Sequence, residues 1–211
     1  MGFFPSNFGS ASWLADMLLR LPSVLWALSF HEFCHGWMAF KLGDRTAASQ
    51  GRLSLNPMAH LDLVGTLMLV FLRFGWAKPV PINSRYFKNP RRDIALVSFA
   101  GAGGNFLTAI FFGILLNLFP ALLLQSRSIT TLILNFLYMN IGLGVFNLIP
   151  IPPLDGSKIL AVMLPPSQMR TFFFLEQYGM VIILILVFTG ILPLIMNPII
   201  QLLLRLFLFQ F

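Results

Sequence analysis

Residues 94–126 contain no Asp, Glu, Lys or Arg, and neither do residues 128–154 or 177–204. Each stretch is long enough to cross the ~30 Å hydrocarbon core of a bilayer as a helix. A soluble domain carries about 25% charged residues and could not hide three such stretches in its core. This chain has only 10% charged and 57% hydrophobic residues over 211 positions, which marks a polytopic membrane protein. The same numbers exclude a disordered tail and a cytosolic enzyme. A secreted disulfide scaffold is excluded by the single cysteine, Cys34.

The formal charge of +7 is carried largely between the apolar runs, where basic residues meet lipid headgroups. Nucleic acid is not an expected partner; the lipid bilayer is. No cleavable signal is expected, because Asp16 precedes the first basic residue, Arg20, and the next apolar run contains His31, Glu32 and His35. Short loops leave no room for a large extramembrane domain, so residues 1–211 are read as one domain.

The pattern predicts an all-α polytopic membrane protein of about five transmembrane helices, near 21–41, 61–77, 94–119, 129–150 and 175–197. Residues 3–19 have the spacing of an interfacial helix, and residues 199–211 of a terminal amphipathic piece. Pro22 suits the first turn of the first span. The alternation in Arg52-Leu53-Ser54-Leu55, stopped by Asn56-Pro57, predicts a short β-hairpin or extended segment after that span. Residues 73–93 are the most basic stretch, and five crossings would put them on the side of the N-terminus. Within it, Pro79 and Pro81 force an extended backbone. Pro193 and Pro198 are expected to turn the end of the last apolar run.

His31-Glu32-Phe33-Cys34-His35 carries the sharpest chemistry. Residues four apart share one helix face, so two imidazoles can hold one Zn²⁺ while the glutamate serves as general base. Buried in an apolar span, two histidines and a glutamate are costly unless they bind something. A catalytic zinc needs a third protein ligand. His60, Asp62, Asp155, Glu176 and Cys34 are the available groups, and Cys34 reads better as a small buried apolar side chain. Asp155 follows a proline-rich break, where it could reach a metal held on another helix or cap the helix that begins near Gly156. Asn135 and Asn140 suit hydrogen bonds between helices.

These motifs together resemble the site-2 protease family of intramembrane zinc metalloproteases (peptidase family M50), in its compact form without a PDZ insert. Besides the His31–His35 motif, the family's Asn-x-x-Pro-x-Pro-x-Leu-Asp-Gly segment is matched by residues 147–156. Residues 51–57 match Gly-Arg-Leu-Thr-Leu-Asn-Pro with Ser54 in place of threonine, and residues 75–83 match Gly-Trp-Ala-Lys-Pro-Val-Pro-Ile-Asn. Residues 100–105 follow the family's Ala-Gly-Pro-x-x-Asn pattern with Ala102 in place of the proline, keeping Asn105. The resemblance implies one Zn²⁺ per chain held by His31, His35 and Asp155, with Glu32 as base. It also implies that Asn147 and Asn105 contact the substrate or transition state.

The implied activity is hydrolysis of a peptide bond in a membrane-spanning protein, in a prokaryotic cell membrane, at a locally unwound helix. Arg52, Leu53 and Ser54, with Pro79, Val80 and Pro81, are the segments expected to pair with the unwound substrate. A transporter would also tolerate buried His, Glu and Asn. It gives no reason, however, for the His31 motif beside a Leu-Asp-Gly turn, and no internal repeat is visible. A silent scaffold would be expected to lack Glu32 or a ligand.

Overall fold

The computed structural model describes residues 10–72, 75–121 and 126–208, so residues 3–9 of the expected interfacial helix, Arg73 of the basic stretch and residues 209–211 lie outside the described residues. Among the described residues the chain is all α-helix with connecting turns. The helices are α1 (Ala11–Lys41), α2 (Thr46–Ser49), α3 (Leu63–Leu72), α4 (Pro90–Leu118), α5 (Arg127–Asn147), α6 (Asp155–Met163), α7 (Met169–Phe188) and α8 (Ile191–Phe207). Four of them, α1, α4, α5 and α7, are long and apolar enough to cross a membrane.

The expectation of about five spans is corrected at α3. Its 10 residues rise only about 15 Å, half of the hydrocarbon core. Its two flanks are tied together by an antiparallel bridge between Leu61 and Ala77 and by the Lys78 N–H donating to the His60 carbonyl at 2.7 Å. A segment that leaves and returns at one point cannot cross. The placing of residues 73–93 on the N-terminal side falls with that crossing.

The β-hairpin is likewise overturned: no strand occurs among the described residues, and Leu61–Ala77 is an isolated bridge. Pro79 and Pro81 have no N–H to complete a ladder. The alternating residues serve side-chain contacts instead. Arg52 Nη2 donates to the carbonyls of Lys78 at 2.9 Å and Pro79 at 3.2 Å. The segment from Lys78 to Asn83 is extended, as its prolines require, and Asp44 holds its far end by accepting the Asn83 N–H at 2.6 Å.

α1 begins where the Ser10 hydroxyl accepts the Trp13 N–H and runs unbroken for 31 residues. Pro22 therefore lies inside it, not in its first turn, and the next residue, Ser23, donates its hydroxyl to the Arg20 carbonyl at 2.7 Å. Such side-chain bonds help a proline to be tolerated in a membrane helix. The last apolar run breaks earlier than its prolines suggested. Gly190, at φ +77°, separates α7 from α8, and Pro198 sits inside α8.

α4 is the central helix, packing on α5, α1 and α6. Lipid supplies no hydrophobic force between helices, so close packing and polar contacts hold such a bundle. Leu137, Ile141 and Val145 of α5 pack with Ala109 and Leu116 of α4 and Leu204 of α8. Asn135 ties α5 to α1 through the Leu19 carbonyl at 3.2 Å. Deeper in the same interface of α1, α4 and α5, the buried side chains become polar.

Candidate metal centre

His31 and His35 lie one helical turn apart on α1, with ring centroids 4.5 Å apart and planes at 90°. α4 approaches closely enough to hold them because Gly101 faces the rings: a Cβ there would sit 2.5 Å from His35 Cε1 and Nε2 and 2.6 Å from His31 Cε1.

The polar groups behind the rings fix their protons. Asn105, fully buried on α4, donates its amide to the Ala27 carbonyl at 2.9 Å and to Asn140 Oδ1 at 3.0 Å. Asn140 in turn donates to the Phe136 carbonyl at 2.8 Å. Only Oδ1 of Asn105 is left for His31 Nδ1, at 2.8 Å, so that nitrogen carries the proton. His35 Nδ1 lies 2.7 Å from the Val97 carbonyl and must also donate. Both rings therefore turn Nε2 to the opposite side.

There the third group arrives. After Pro150, Pro152 and Pro153 the chain enters α6 with Leu154 at the cap and Asp155 as the first helical residue, so the capping role open to Asp155 is not the one it takes. Its Oδ2 lies 3.1 Å from His31 Nε2 and 2.9 Å from His35 Nε2, and the two Nε2 atoms are 2.9 Å apart. Three buried donor atoms converge within hydrogen-bond distance of one another, a grouping that a single cation can satisfy. Ligands held by one zinc at 2.0–2.1 Å tetrahedrally are spaced about 3.3 Å apart. The donor types, the spacing and the hydrogen bonds fixing each imidazole all fit that ion. Asp155 Oδ1 remains with Lys158 Nζ at 2.9 Å.

Glu32 stands beside this cluster in a cavity of about 290 Å³ also lined by His31, His35, Asp155, Val80 and Asn147. Its Oε2 accepts the Val80 backbone N–H at 2.8 Å. Leu53 and Val80 approach Gly36 on the same helix, where a Cβ would lie 3.2 Å from each. Pro79 lines the cavity as well, whereas Ser54 turns into its own loop, accepting the Asn56 N–H on its hydroxyl and His60 Nε2 on its carbonyl. Pro81 lies between Val80 and Ile82 in the extended segment.

Asn147 stands on the cavity wall with its amide donating to the Leu143 carbonyl at 3.0 Å. Asn105 lies behind His31, with its oxygen on the His31 ring and its amide on Ala27 and Asn140. The other groups weighed as ligands stay outside the cluster. His60 is buried against Ser54, Asp62 accepts the Gly65 N–H at the start of α3, Glu176 is exposed, and Cys34 lies against Gly104. Sequence reasoning missed Lys158, one turn beyond Asp155, and Asp44, which anchors the extended segment. Nothing local pairs Asp44 with Asn83, which lies 39 positions away.

Comparison with known proteins points the same way. Residues 121–189 match the profile of Peptidase family M50. YwhC of Bacillus subtilis (strain 168), by its name a candidate zinc metalloprotease, is 37% identical over 181 residues, covering 83% of this chain and 83% of that protein. Rip2 of Mycolicibacterium smegmatis, named in the same terms, is 28% identical over 84% of this chain and 70% of its own length. Rip2 of Mycobacterium tuberculosis (strain H37Rv) is 28% identical over 84% of this chain and 74% of its own length. No solved structure matches.

Proposed function

The chain belongs to peptidase family M50, and we propose that it is a compact zinc endopeptidase without a PDZ insert, which hydrolyses a peptide bond of a membrane-spanning protein in a prokaryotic cell membrane. The observation that carries this reading is the convergence of His31 Nε2, His35 Nε2 and Asp155 Oδ2 beside the carboxylate of Glu32. Those three atoms would hold one Zn²⁺ per chain, which when bound would supply Lewis acidity and lower the pKa of a water at the site toward neutrality.

Glu32 removes the proton from the attacking water and returns it to the leaving amine. The Val80 N–H fixes one oxygen of that carboxylate, leaving the other for the water. Asn105, held by Asn140, keeps the His31 ring in its tautomer and orientation. Asn147, on the wall of the same cavity, serves the substrate backbone or the developing oxyanion.

An intact helix hides its carbonyls in i→i−4 hydrogen bonds, so the substrate must be unwound where it meets Glu32. Pro79 and Val80, in the segment clamped by Arg52, form the wall along which the unwound strand lies. The test uses purified protein in phosphatidylcholine vesicles with a Leu/Ala-rich membrane-spanning peptide of unwound centre. Cleavage that stops on chelation and returns with zinc supports the reading, and cleavage indifferent to chelation overturns it.

A further inference from the structure

We propose that an apolar groove between α1 and α5, opening from the metal cavity, holds an intact helical part of the substrate on one side of the bond to be cut; this rests on the protease reading above. A second cavity of about 290 Å³ is lined by Val24 and Leu28 of α1, Leu69 of α3, Met139 and Gly142 of α5 and Met196 of α8. It shares Leu28, Gly75, Leu143 and Phe146 with the cavity around Glu32 and the metal cluster. The two spaces thus adjoin along α1 and α5, and the proposed occupant passes from one to the other beside these residues.

A smaller cavity of about 160 Å³ extends the groove past Val24, Leu69 and Met139 to Asp16 and Arg20. Arg20, Val24 and Leu28 are four residues apart and share one face of α1, so the groove follows the helix axis. From His31 back to Arg20 this is about 16 Å, the rise of roughly eleven helical residues. Its middle is apolar, while its ends carry charge: Glu32 and Asp155 at one, Asp16 and Arg20 at the other. The occupant is thus an apolar helix of about three turns that ends at the metal cavity and unwinds there. An acyl chain has the same apolarity but nothing to present to Glu32. Gly142 keeps the middle open, since a Cβ there meets no atom within 4 Å.

The experiment uses the full-length Glu32→Gln protein in phosphatidylcholine vesicles. A Leu/Ala membrane-spanning peptide carries a diazirine one to three turns from its unwound centre, and labelled residues are mapped by mass spectrometry. The groove predicts labelling of Val24, Leu28, Met139 and Met196, reduced about tenfold by adding Gly142→Leu, as overfilling a packed site would do. Because Gly142 has open space around it, that variant should fold and keep its zinc. Labelling confined to the opposite face at Trp26, Phe30 and Phe111, or labelling indifferent to Gly142→Leu, overturns the proposal. So does labelling by a diazirine fatty acid that the peptide does not displace. Groove labelling without cleavage by the wild-type chain would remove the protease reading and leave the groove. Cleavage without groove labelling would do the reverse.

Discussion

The backbone N–H of Val80 donates to Oε2 of Glu32 at 2.8 Å, joining an extended loop segment to the helix that carries the paired histidines. Pro79 and Pro81 have no N–H, so Val80 supplies the single backbone donor across those three residues. The segment is pinned on both sides of it, by Arg52 on the carbonyls of Lys78 and Pro79 and by Asp44 on the Asn83 N–H. The alternate prolines thus make the chain extended and leave one donor aimed at one carboxylate.

Val80→Pro removes that donor while keeping an extended backbone, and Val80→Ala keeps the donor while trimming the side chain. A hydrogen bond to a charged group is worth about 1.5–3 kcal/mol. Val80→Pro should therefore lower kcat by roughly ten- to a hundredfold at unchanged zinc content, and Val80→Ala by much less. Equal losses in the two variants would assign the effect to packing against Gly36.

Glu32→Gln keeps the shape and volume of the side chain but cannot take a proton. Zinc content should stay at the wild-type level, because the three converging atoms belong to other residues. Peptide cleavage should fall by about 10²–10⁴-fold. Metal analysis of the same preparation used for the rate measurement checks both halves, and near-wild-type turnover would remove Glu32 from its role.

Asn105→Ala frees the His31 ring to turn or to move its proton. Loss of such an orienting bond typically lowers metal affinity by about 10–100-fold, which competition with a chelating dye would read directly. Asn147→Ala should leave that affinity unchanged and reduce kcat. The opposite pattern would exchange the roles of the two asparagines.

The paired histidines and Glu32 were legible because their relation is local, one turn of one helix. The long uncharged runs likewise located α4 and α5 almost to their ends. Asp155 was not derivable from spacing: it meets His31 across 124 positions, and its place after a proline-rich break, together with the resemblance, set it apart from the other acidic groups. The β-hairpin was misread because alternation in Arg52-Leu53-Ser54-Leu55 also arises when a guanidinium binds a neighbouring segment and a leucine packs on α1. The apolar run of α3 looked like a crossing because the bridge that returns it, Leu61 to Ala77, leaves no mark in hydropathy. Asn105 was singled out by the resemblance, but its hydrogen bond to His31 spans 74 positions and leaves no local pattern to read.

Gly101→Ala separates the metal centre from its ligands as a cause of function, for it changes none of them. In a helix interior alanine is favoured over glycine by about 1 kcal/mol, so propensity alone predicts a slightly more stable α4. The added methyl carbon would lie 2.5 Å from His35 Cε1 and Nε2, where carbon atoms normally stay about 3.5–4.0 Å apart. Either α1 and α4 move apart or the rings turn, and both shift the Nε2 atoms relative to Asp155. Zinc affinity should drop at least as far as in Asn105→Ala, with far-UV circular dichroism unchanged. Gly103→Ala gains the same propensity, but its Cβ meets only Phe99, at 3.7 Å, so it should bind zinc like the wild type. If Gly101→Ala also retained wild-type affinity, the close approach of α4 to the histidine pair would have no part in holding the metal.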